Sequence, residues 1–82
     1  MNVLIIEDEK LAAEKLESML MDTAPEFRVV AKLGSIKESV KWLLKNTADL
    51  IFLDIQLSDG ISFSIFDQVA VSTPIIFTTA YD

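Results

Sequence analysis

The sequence predicts an α/β fold built on a parallel sheet, and three observations carry that prediction. Short apolar runs recur along the 82-residue chain, at Val3-Leu4-Ile5-Ile6, 27–33, Leu50-Ile51-Phe52-Leu53 and Ile75-Ile76-Phe77-Thr78-Thr79. The first and third are apolar without alternation, the pattern of strands covered on both faces. Between the runs lie segments of helical periodicity, giving the order βαβαβαβ, which implies right-handed crossovers and parallel strands. A chain of this length is one small domain, burying roughly 60% of its unfolded surface.

The elements follow in order. After the first run come Glu7-Asp8-Glu9 and then Ala12, Leu16, Met19 and Leu20, spaced as one helical face opposite Glu14, Lys15 and Glu17. Asp22-Thr23-Ala24-Pro25 ends that helix, and Gly34 closes the second strand. Ser35-Ile36-Lys37-Glu38 reads as a capping box, opening a helix with Ile36, Val40, Leu43 and Leu44 on one face and an end near Asn46. The third strand stops at Asp54, and 56–60 reads as a polar loop. A weak helix is expected over 62–69, where Ile65, Phe66 and Val69 share a face but three serines lower the propensity. Pro74 starts the fourth strand. Trp42 reads as partial cover for the sheet, Met19 and Met21 as core or rim filler, and Lys37, Lys41 and Lys45 as a solvated stripe.

Composition excludes much. The chain is 51% hydrophobic and 24% charged, so it has enough apolar surface to fold. Its net charge of −6 argues against a nucleic-acid or acidic-membrane surface. Without Cys or His, it can form neither disulfides, thiolate or zinc sites, nor a Ser-His-Asp triad. No apolar run reaches the roughly 18 residues of a membrane span, and the start lacks the pattern of a secretory signal. A soluble, cytoplasmic protein is expected.

The polar residues collect at strand ends. In a parallel α/β sheet the functional crevice lies at the carboxyl ends of the strands. Strand one ends in Glu7-Asp8, strand three in Asp54 and strand four in Thr79-Ala80. Taken singly, Asp8 could be a helix N-cap, Glu7 and Glu9 first-turn acids, Asp54 a solvated strand end and Thr79 a strand former. Together they place three carboxylates and a hydroxyl at one rim. Crowded carboxylates repel, and a hard divalent cation relieves that repulsion. With oxygen the only donor type, Mg²⁺ or Mn²⁺ is expected, and phosphoryl chemistry with it.

These motifs, with Asp59-Gly60 between them, resemble the receiver domain of two-component response regulators over the whole chain. The ending Phe77-Thr78-Thr79-Ala80-Tyr81-Asp82 further resembles receivers joined to LytTR-type DNA-binding domains. The resemblance implies a flavodoxin-like, doubly wound parallel sheet of order 2-1-3-4. It implies Asp54 as phosphoacceptor from a sensor histidine kinase. It also implies Mg²⁺ held by Glu7, Asp8, Asp54 and the Gln56 carbonyl, Thr79 bonded to the phosphoryl group, and Ala80 leaving room for the donor. DNA would be reached only through an output domain absent from the chain, and no membrane partner is implied.

Two departures stand out. Leu57-Ser58 replaces the family's Met-Pro, which should loosen that loop. The chain also stops at Asp82, before the family's final helix-strand-helix, which carries a phosphoryl-pairing lysine. Residues 1–82 are thus expected to be the N-terminal two-thirds of a receiver, prone to self-association. Two rivals remain. One is a haloacid-dehalogenase-like phosphatase, against which Gln56 stands in place of a second acid. The other is an interaction module that is never phosphorylated.

Overall fold

The computed structural model describes residues 1–78. Its main sheet contains β1 (Asn2–Ile6), β2 (Arg28–Leu33), β3 (Leu50–Leu53) and β6 (Ile75–Phe77), all parallel, in the order β2-β1-β3-β6. This is the expected order 2-1-3-4 in a doubly wound sheet. A two-residue hairpin, β4 (Gln56–Leu57) and β5 (Gly60–Ile61), lies between the third and fourth sheet strands. The helices are α1 (Lys10–Thr23), α2 (Ile36–Leu43) and α3 (Ile65–Gln68), the last preceded by a 3₁₀ turn at Ser62–Ser64.

The alternation of side chains along β1 explains the layers. Val3 and Ile5 pack with Ala13 and Leu20 of α1 and with Phe52. Leu4 and Ile6 point the other way, to a cluster of Ile36, Ile51, Leu53, Leu57 and Ile65. Residues 3–6 are thus at most 1% exposed, as a central strand covered on both faces must be. β2 is an edge strand, and its exposure alternates residue by residue.

Several local expectations are corrected. Expected as core or rim filler, Met19 and Met21 are 56% and 66% exposed and join neither core cluster, because the inward stripe of α1 runs through Ala13, Leu16 and Leu20. The second helix ends at Leu43, so Leu44 leaves its stripe and is 65% exposed, while Ser39 is buried and donates its hydroxyl to Ser35 O. The capping box forms, with Glu38 N on Ser35 Oγ at 3.0 Å, but Glu38 accepts from Gly34 N rather than from the cap amide. Residues 56–60, read as a loop, contain most of the hairpin, and Leu57 is 3% exposed within the core. That burial anchors the segment the Leu57-Ser58 departure was expected to loosen. The weak helix resolves into the 3₁₀ turn and the single-turn α3, held by a fully buried Ile65. No helix among the described residues is long and apolar enough to cross a membrane.

Candidate functional site

The acids meet because β1 and β3 pair side by side in register, Ile6 opposite Leu53. The next backbone bond, Asp54 N to Ile6 O at 2.9 Å, keeps the two chains together as they leave the sheet. One carboxylate oxygen each from Glu7, Asp8 and Asp54 then falls within 4.8 Å of the others. Glu7 and Asp54 are half-buried and Asp8 is exposed, so the cluster sits at the rim, open to solvent on one side.

The bland reading of Asp8 as a helix cap fails. Helix α1 starts at Lys10 after Glu9, which makes no side-chain cap, and no acid lies in its first turn. Glu7 instead accepts from Glu9 N at 3.0 Å, and Asp54 Oδ1 accepts from Gln56 N at 3.4 Å. Burial pushes Glu7 up from 4.5 to about 7, against the Glu9 amide, and the Asp54 charge and hydrogen bonds shared with Asp8 and Asp54 add to the rise. The donor set is all oxygen, which suits a small hard divalent cation.

The other expected residues divide. Gln56 is exposed on β4, two residues past Asp54 and linked to it through its amide. Thr79 and Ala80 lie outside the described residues; the chain leads toward them through Thr78, whose amide donates to Leu53 O at 3.0 Å. A hollow of 270 Å³ beside the cluster is lined by Glu7, Asp8, Lys10 and Lys32 among others but not by Asp54, so it flanks the acid rim rather than forming its floor.

One further acid has a role that its sequence motif does not show. Asp59, in the hairpin turn, accepts from Ile36 N at 2.7 Å and from Lys37 N at 3.1 Å. These amides, Ile36's first, hold its carboxyl below the ordinary range. The Asp-Gly pair signals a turn, but nothing local indicates that the aspartate reaches a helix 22 residues earlier in the chain.

The geometry agrees with comparisons to known proteins. Residues 3–82 match the family described as the response regulator receiver domain. The chain is 34% identical over 85 residues to the sensory transduction protein LytT of Bacillus anthracis, covering all of this chain and 34% of that protein. It is 39% identical over 85 residues to the transcriptional regulatory protein LytR of Staphylococcus aureus, again covering all of this chain and 34% of the relative. It therefore spans about a third of the length of these curated relatives. Among solved structures, a MaeR response regulator bound to beryllium trifluoride superposes with a TM-score of 0.85 at 24% identity, over all of this chain and 69% of that one, a likeness of fold. The receiver domain of the Erythrobacter litoralis PhyR response regulator superposes at 0.75 with 34% identity, over 98% of this chain and 63% of that one. The fold is thus shared with these solved structures, and the chain belongs to the response regulator receiver family.

Proposed function

We propose that Asp54 is the phosphoacceptor of this receiver. The observation that carries the reading is the meeting of Glu7, Asp8 and Asp54 oxygens within 4.8 Å, although such crowding of like charges opposes folding. An Asp54 carboxylate oxygen attacks the phosphorus of a phosphohistidine on a sensor histidine kinase. A P–O bond forms as the P–N bond breaks, the electron pair leaves with the imidazole nitrogen, and Asp54 becomes an acyl phosphate. Such transfer depends on positioning and charge neutralisation more than on covalent assistance. Glu7, Asp8, Asp54 and the Gln56 carbonyl would hold Mg²⁺, which when bound offsets the negative charge of the acids and of the incoming phosphoryl oxygens. By the family resemblance, Thr79 would hydrogen-bond the phosphoryl group and Ala80 would leave room for the donor; both lie outside the described residues.

Receiver domains are in general not enzymes, and this one catalyses at most its own phosphorylation. The LytT and LytR relatives support an output on transcription. With a charge of −6 on these 82 residues, contact with DNA belongs to an output domain rather than to the receiver.

The test is incubation with acetyl phosphate and Mg²⁺, read by intact mass. One added phosphoryl group in the wild type, absent in Asp54→Asn and much slowed in Asp8→Asn, is the expected result. Label retained in Asp54→Asn overturns the assignment, and steady turnover of a phosphate ester returns the phosphatase reading. A thermal melt reports on the metal separately. At ten times its Kd, Mg²⁺ stabilises the wild type by about 1.4 kcal/mol, and a midpoint unchanged by Mg²⁺ counts against the site.

A further inference from the structure

We infer that Asp59, together with Ser58, is a positioning residue that sets the place of the Asp54–Gln56 segment by tying the hairpin to the first turn of α2. The inference rests on the reading of the acid rim as a metal and phosphoryl centre.

The two acid-bearing loops need such a tie. The sheet holds them as far as Ile6 and Leu53, with further bonds from Asp54 N to Ile6 O at 2.9 Å and from Glu7 N to Leu33 O at 2.8 Å. Beyond that, the two loops carry three crowded carboxyl groups. The turn formed by residues 34–37 lies against both. On one side Gly34 adjoins the first loop, where an added Cβ would make ordinary contact with Asp8 Cα at 3.6 Å and Glu7 O at 3.8 Å. On the other side Ser58 Oγ donates to Gly34 O at 3.2 Å, and the two Asp59 oxygens take the Ile36 and Lys37 amides. Leu57 and Ile36 share the same buried cluster, so an apolar contact backs the polar ones. Just past the hairpin, Ser62 N donates to the carbonyl of Ile55, the residue after Asp54, at 2.8 Å. A continuous path runs from Asp8 through Gly34 and Asp59 to Gln56.

Asp59 completes the cap of α2 at Ile36 N and Lys37 N, and does so from a hairpin distant in sequence. Ser35 Oγ already accepts from Glu38 N, and Ser39 N bonds to Ser35 O. Asp59 is a long-range addition that uses both carboxylate oxygens, which fixes direction as well as distance. Outer partners that orient ligands in this manner strongly affect metal affinity.

Calorimetric Mg²⁺ titration of four chains decides the matter: wild type, Asp59→Ala, Asp59→Asn and Ser35→Ala. Asp59→Ala and Ser35→Ala each remove a bond at the start of α2 and both lower the Tm, but only the first frees the hairpin. Asp59→Ala is expected to weaken Mg²⁺ binding about tenfold, with Ser35→Ala at the wild-type Kd. Asp59→Asn keeps a neutral acceptor and loses about threefold, since uncharged hydrogen bonds hold about half as strongly; it also serves if Asp59→Ala does not fold. Wild-type Kd in both Asp59 variants, or an equal loss in Ser35→Ala, overturns the inference and leaves Asp59 as a cap. Absence of Mg²⁺ binding to the wild type overturns the reading of the acid rim itself, and this inference with it.

Discussion

Three side chains show how individual residues set the trade between stability and function. Glu7, held near 7 by burial and its acidic neighbours, keeps a proton in the folded state that the unfolded chain releases near pH 4.5. The folded form binds more protons across that interval, so stability is highest below about pH 4.5 and falls as pH rises through 7. Discounted for partial exposure, the fall is on the order of 1–2 kcal/mol. Denaturant melts of metal-free protein from pH 4.5 to 8 should show it, and Glu7→Gln should flatten it. Asp54→Asn removes a like charge while keeping the shape, and should stabilise metal-free protein by about 1 kcal/mol at pH 8, less at pH 5. Reduced stability at pH 8 would mean that Asp54 makes a favourable structural contact. Ser62 is a different case. It is fully buried, and its hydroxyl finds no partner among the described residues. Ser62→Ala should therefore be neutral or up to about 1 kcal/mol more stable, whereas a loss would reveal a hidden partner.

At the scale of elements, the hairpin is the feature with most consequence for the site. Its turn depends on Gly60, whose φ of +139° is hard for any side chain to adopt and whose added Cβ would sit 3.2 Å from Ile36 Cδ1. Gly60→Ala should cost about 1–3 kcal/mol, measurable by urea denaturation, and an unchanged midpoint would mean that the turn relaxes freely. Helix α2 is the element the hairpin leans on. Its first three amides are taken by Asp59 and Ser35, so it begins without orphaned donors.

At the scale of the whole molecule, the described residues end on an apolar side. Among the described residues no strand pairs β6 on its outer edge, and Ile76 and Phe77 are 47% and 50% exposed. Phe77 meets Phe63 edge to face at 5.7 Å, and Ile61 and Phe63 are themselves about half exposed. An unprotected strand edge beside an apolar patch favours pairing with another chain. The 82-residue chain should self-associate at micromolar concentration, and light scattering coupled to size exclusion should give a mass above the 9.2 kDa monomer. A sharp monomer that binds no hydrophobic dye would show this side to be covered.

The sequence by itself determined the parallel sheet, its strand positions and the three acids at strand ends. Those features follow from local patterns: uninterrupted apolar runs at Val3–Ile6 and Leu50–Leu53, and acids directly after them. Its order was legible only through the resemblance of the motifs taken together. Tertiary structure decided the rest. Whether Leu57 is loop or core, whether Met19 faces in or out, and what Asp59 holds depend on partners far away in sequence, which no local pattern encodes. The raised Glu7 has the same origin, since its burial and its neighbour Asp54 exist only once β1 and β3 lie side by side.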